Sequence, residues 1–177
     1  MLAQPAVATL VAITLCVFGQ ATAPGGGGTA NQRSPSVRST NGRIVQALAQ
    51  GTARSPTFAQ MLEELQGSDV ILHMEAGECD CRGARACLTF LSSSGNTRYL
   101  RGTVSLRRTQ RDLIAAIGHE LWHAVELARS PEVVDRASLS TFYAARARRS
   151  CAGCGYETAE AIASESAVRR ELQSRDL

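Results

Sequence analysis

The sequence predicts an α+β fold in which a small antiparallel sheet packs against one central helix and a C-terminal helix. Three observations predict it. Two short amphipathic runs come first, three apolar runs parted by turn residues follow between Val70 and Leu106, and the chain beyond them reads as helix up to Leu172. The central helix carries His119-Glu120-Leu121-Trp122-His123, the pattern on which the functional reading rests.

With 177 residues, 44% hydrophobic and 20% charged, the chain has ordinary globular composition and room for one domain. The net charge of +3 includes 19 basic residues, all arginine. They are scattered, with no basic stripe and no interleaved aromatics, so no nucleic-acid partner is expected.

Residues 1–23 read as an export signal, with an apolar core from Ala6 to Phe18 and a small-x-small site at Ala21-Thr22-Ala23. The apolar run is short of the roughly 20 residues of a membrane span. Residues 24–41, rich in Gly, Ser, Thr and Pro, read as a flexible linker. The expected compartment is periplasmic or extracellular. Five cysteines follow the signal, Cys79, Cys81 and Cys87 in one cluster and Cys151 and Cys154 in another. In an oxidising compartment each cluster is expected to form one bridge. A structural zinc site or a redox C-x-x-C at Cys151–Cys154 is the rival reading.

The domain is expected over residues 42–177. Ile44, Val45 and Leu48 predict a first short helix ended by Gly51. Ser55-Pro56 supplies an N-cap and first-turn pair for a second helix, with Phe58, Met61, Leu62 and Leu65 on one side and Gly67 as its stop. Val70 to Met74, Cys87 to Leu91 and Tyr99 to Leu106 are strands in consecutive hairpins. In the third, Leu100, Val104 and Leu106 alternate with Arg101, Thr103 and Ser105. Thr109 with Asp112 resembles a capping box, and Leu113, Ile114, Ile117, Leu121 and Val125 form the stripe of the central helix, which Pro131 ends. Ser138 to Ala147 is a further helix, and Tyr156 to Leu172 is the last.

Residues four apart on a helix share a face, so His119 and His123 can close on one metal ion with Glu120 beside it. A catalytic zinc takes three protein ligands. No histidine follows His123, and His73, alone in an apolar run, reads as a core or packing residue. The third ligand is therefore expected to be an acid. Glu157, just after a Gly-rich turn, is preferred, with Glu160 as the alternative. Either acid could instead answer the dipole of the last helix. Glu126, one turn beyond His123, suits a supporting role.

The motif His119-Glu120-x-x-His123 with a downstream helical glutamate resembles the gluzincin clan of zinc metallopeptidases, and in its brevity the minigluzincins. The resemblance covers roughly Ser55 to Leu172. It implies a minimal zincin-like fold, Zn2+ as cofactor, a peptide or protein substrate, and peptide-bond hydrolysis with Glu120 as general base. It also implies that the strand before the central helix, Tyr99 to Leu106, is an exposed edge to which a peptide adds. Several gluzincins carry an acid four residues after the ligand glutamate. Here that position is Ala161 after Glu157 or Ser164 after Glu160. Tyr143 and Tyr156 are the nearest oxyanion donors in sequence. The other readings are an inactive exported metal-binding or protein-interaction domain that retains the helix, and a thiol-redox protein built on Cys151 and Cys154.

Overall fold

The computed structural model describes residues 34–80, 84–146, 148–149 and 156–174. The export signal, most of the linker, Cys81, Cys151 and Cys154 lie outside the described residues. The elements run β1 (Val37–Arg38), α1 (Gly42–Arg54), α2 (Pro56–Gln66), β2 (Val70–Ala76), β3 (Ala86–Ser94), β4 (Thr97–Val104), α3 (Gln110–Ala128), α4 (Arg136–Arg146), β5 (Arg148–Arg149), β6 (Tyr156–Glu157) and α5 (Ala159–Ser174).

The fold is α+β, but the sheet is mixed. Its order is β1-β2-β4-β3, with β1 and β4 both parallel to β2 and only β3 antiparallel to β4. This corrects the expected run of consecutive hairpins. The chain between β2 and β3 carries β3 past the place that β4 then fills. Burial explains the order. Arg98, Leu100, Gly102 and Val104 are buried along β4, whereas β3 is largely exposed beyond Phe90. Gly102 lies against the Met74 side chain, where a Cβ would collide with its sulfur. Interior strands of a sheet need such small and apolar residues; edges do not. The expected peptide-adding edge at Tyr99 to Leu106 is therefore wrong as placed, since β4 is paired on both sides. Among the described residues the edges of the sheet are β3 and the two-residue β1.

The linker was expected to reach Asn41, yet Val37 and Arg38 already pair with Leu72 and His73. Main-chain and side-chain polar groups hold this piece, which is why it has no hydrophobic signature. Leu72 N donates to Ser36 O at 2.8 Å, and Ser39 Oγ to Met74 O at 2.7 Å. Asn41 Oδ1 then caps α1 by accepting from Arg43 N and Ile44 N. Gly51 does not stop α1. It lies inside the helix, where a Cβ would stand 2.8 Å from the Phe58 ring, so the residue serves the contact between α1 and α2.

One face of the sheet, from Val70, Leu72, Met74, Phe90, Leu100 and Val104, is buried in the core with Leu113, Ile117 and Leu121 of α3. His73 is on the other face, half-exposed, 3.9 Å from Glu75, and not in the core as expected. Cys79 and Cys87 form a disulfide that ties the chain after β2 to β3. Among the described residues no helix is long and apolar enough to cross a membrane.

Two packing details position the site. Helix α5 crosses α3 at Gly118, where an added Cβ would lie 3.1 Å from Val168 Cγ2. The chain leaving α3 is pinned to the sheet by Arg98. Its Nε and Nη2 donate to Asp69 at 2.7 Å each, and its Nη1 donates to Ser130 O and Val133 O at 2.8 and 3.1 Å.

Candidate metal centre

Helix α3 opens at Thr109, whose Oγ1 accepts from Asp112 N at 3.1 Å. The helix is buried on nearly every side through its middle, so His119, Glu120 and His123 are 8%, 3% and 5% exposed. Polar groups taken this far from water need partners. The partners found here define the site.

The two imidazoles face each other through Nε2, at 3.1 Å. Glu157 Oε2 lies 3.1 Å from His119 Nε2. One ligand atom from each of His119, His123 and Glu157 lies within 4.8 Å of the others, and the group could hold a metal ion. Zinc–nitrogen bonds of about 2.1 Å at a tetrahedral angle place ligand atoms about 3.4 Å apart, close to the two 3.1 Å separations around His119 Nε2. The donor set fits a divalent cation.

Glu157 reaches the centre by a route other than the one expected. It is not in the first turn of the last helix. It sits in β6, which pairs antiparallel with β5, Arg148 opposite Glu157 and Arg149 opposite Tyr156. Helix α5 begins two residues later, and Thr158 Oγ1 caps it by accepting from Ala161 N at 3.2 Å. Glu160 falls in the first turn of α5, exposed and outside the group.

The outer nitrogens of both rings meet carboxylates. His123 Nδ1 is 2.8 Å from Glu126 Oε2, which also takes the Tyr143 hydroxyl at 3.2 Å. Burial pushes Glu126 up, but hydrogen bonds from His123, Thr158 and Tyr143 outweigh it and hold the carboxyl below its ordinary value. His119 Nδ1 faces Glu165 Oε2 at 3.6 Å. Arg169 binds Glu165 at 2.8 Å and also pairs with Asp112; Arg85, just before β3, reaches Glu165 at 3.5 Å. The His119 imidazole that faces it brings Glu165 down to about 2 against its burial, with Arg169 assisting. Burial pulls His119 down, yet Glu157 and Glu165 overcome it and raise the imidazole to about 10. Glu157 is held low by the same hydrogen bond with His119.

Sequence reasoning missed Glu165. The available signal was the i,i+4 pair Glu165–Arg169, but nothing in the sequence says which face of α5 meets α3.

Glu120 stands apart from these pairings. Its Oε2 is buried without a hydrogen-bond partner, and burial pushes its carboxyl up, only partly offset by the two histidines. Tyr143 is taken up elsewhere. Its hydroxyl lies 3.1 Å from His123 Nδ1 as well as near Glu126, behind the imidazole and not on the Nε2 side. Burial raises the phenol, so it stays protonated. Tyr156 stacks on Tyr143 at 5.7 Å, and its hydroxyl is 3.4 Å from Ser140 Oγ on α4. Neither hydroxyl is directed at the Nε2 atoms.

Compared with protein-family models, with curated proteins and with solved structures, the chain shows no match.

Proposed function

We propose that this protein is an exported, zinc-dependent peptide hydrolase in which Glu120 is the general base. One observation carries the reading: Glu120, a buried carboxylate with an unpartnered oxygen, sits beside two imidazoles whose Nε2 atoms converge with Glu157. A purely structural metal site is closed by its ligands and has no use for such a group.

Held by His119, His123 and Glu157, zinc would supply Lewis-acid polarisation of the scissile carbonyl and a lowered pKa for water. The protein's own residues do the rest. Burial raises Glu120 toward the range in which a carboxylate takes a proton from water as the carbon–oxygen bond forms. The same proton then passes from Glu120 to the amide nitrogen as the carbon–nitrogen bond breaks. Glu126 and Glu165 keep the lone pairs of His123 and His119 turned inward by holding their outer nitrogens. The Cys79–Cys87 disulfide supports an oxidising compartment as the place of action.

The test is metal content and turnover together. Zinc-loaded protein is expected to cleave unfolded polypeptide, and Glu120→Gln to keep its metal while losing about 10²–10⁴-fold in rate. Tight metal binding with no cleavage by the wild type would instead identify an exported metal-binding or interaction domain.

A further inference from the structure

Glu126 serves two neighbours on its own helix. Trp122 stands four residues before it and His123 three, so both side chains can meet it on one face of α3. The Trp122 indole donates from Nε1 to Glu126 Oε1 at 3.1 Å. Glu126 Oε2 faces His123 Nδ1 at 2.8 Å and takes the Tyr143 hydroxyl at 3.2 Å. The indole and the imidazole thus hold different oxygens of one carboxylate.

That division matters because the last torsion of a glutamate is broad and roughly two-fold. Contacts at Oε2 alone leave the plane of the carboxylate free to turn, and the imidazole free to follow it. A donor on Oε1 fixes the plane. Tyr143 and Thr158 also bind Glu126, but they come from α4 and from the residue before α5. Trp122 lies on the helix that carries His123, so its hold moves with the ligand. The indole is itself braced. Arg129 stands over the ring, 5.1 Å from its centre, and Glu64 keeps it there by accepting from Nε and Nη2 at 2.6 and 2.8 Å.

We propose that Trp122 is a positioning residue of the metal centre: its indole N–H fixes the Glu126 carboxylate and, through it, aims His123 Nε2 toward His119 and Glu157. The proposal rests on reading His119, His123 and Glu157 as zinc ligands, and it stands whether or not the bound zinc cleaves peptides. Packing is the competing account, since Trp122 also lies against the core. Two substitutions separate them. Trp122→Phe keeps an aromatic ring and removes the donor. Trp122→Gln removes the ring and keeps a donor that reaches an acid four residues on.

Zinc affinity, read by competition with a chromophoric chelator, and the thermal midpoint of the metal-free protein are measured for both variants. Trp122→Phe is expected to weaken zinc about tenfold, the low end for the partners that orient a ligating histidine. Trp122→Gln is expected to stay within about threefold of wild type, because the donor is kept, although its midpoint falls further than that of Trp122→Phe. A packing role cannot produce that crossed order. In a Glu126→Ala background, Trp122→Phe should change affinity by less than about twofold, since its effect runs through the carboxylate. Wild-type affinity in Trp122→Phe, weaker binding by Trp122→Gln than by Trp122→Phe, or a full loss on adding Trp122→Phe to Glu126→Ala would each overturn the proposal. No zinc bound by the wild type would end both the proposal and the zinc site. Zinc bound and the crossed order found, with no peptide cleavage, upholds the positioning role and ends the hydrolase. Zinc bound and peptide cleaved, with Trp122→Phe unchanged, upholds the hydrolase and ends the positioning role.

Discussion

Glu165 Oε2 faces the outer nitrogen of His119 at 3.6 Å, while the inner nitrogen of the same ring faces Glu157 at 3.1 Å. One imidazole is thus gripped from both sides by acids on separate elements, β6 and α5. A carboxylate behind a ligating histidine fixes the ring and raises its basicity. Glu165→Gln is expected to weaken zinc affinity about 10–100-fold, with little change in the thermal midpoint of the metal-free protein. Competition with a chromophoric chelator measures it; an unchanged affinity would reduce Glu165 to a surface partner of Arg169.

The ligand set makes a sharper prediction. Glu157→Ala should lose zinc as completely as His123→Ala, whereas Glu160→Ala, exposed in the first turn of α5, should bind within about twofold of wild type. Metal content after dialysis decides it. Retention in Glu157→Ala with loss in Glu160→Ala would move the third ligand onto α5.

The pH dependence follows from His119. Its imidazole is raised from 6.5 to about 10 in the metal-free fold, so it contributes stability that is fully present below 6.5 and is lost as the pH rises through about 10. Thermal unfolding in chelator should therefore show a midpoint that falls across that window, and His119→Gln should flatten it. Zinc must displace that proton, so apparent affinity should climb about tenfold per pH unit between pH 7 and 9. A pH-independent affinity would contradict it.

Tyr143 offers a test of roles. Because its hydroxyl serves Glu126 and His123, Tyr143→Phe is expected to cost about 1–2 kcal/mol of stability and less than about tenfold in kcat/KM. A loss of about 10²–10³ in kcat with zinc retained would make it an oxyanion donor after all.

Away from the centre, Arg98 is buried and depends on Asp69. Asp69→Asn should destabilise the fold by about 1–2 kcal/mol at neutral pH, measured by urea unfolding. The hydrogen bonds of Arg98 hold the Asp69 carboxyl below 3.8, so the wild type's advantage is present above that value and lost as the pH falls below it. Equal stability of the two proteins at pH 7 would leave the clamp without energetic weight.

The helical part of the site was legible because its geometry is local. Four-residue spacing puts His119 and His123 on one face whatever the rest of the chain does, and Ser55, Thr109 and Gly67 announce helix ends through their own chemistry. Glu157 was within reach for a looser reason, its place after a Gly-rich turn, although the element that carries it is β6 and not a helix. Strand order was not legible. β2, β3 and β4 follow one another in sequence, and only packing of Gly102 on Met74 shows that β4 belongs inside. Linker and strand likewise look alike at Val37–Arg38, where main-chain bonding does the work and side chains leave no pattern. Glu165 depends on how two helices rotate against each other, which no single segment encodes.

Gly118 immediately precedes His119 and lets α5 approach to where a Cβ would crowd Val168. Its neighbour on the facing helix is three residues from Glu165. A side chain at position 118 requires Val168 to give by a few tenths of an ångström, and where α5 moves with it the acid is drawn off the imidazole, so a residue that touches no ligand limits how this protein can evolve. Random mutagenesis selected only for folding should admit alanine there, while selection for tight zinc binding should return glycine.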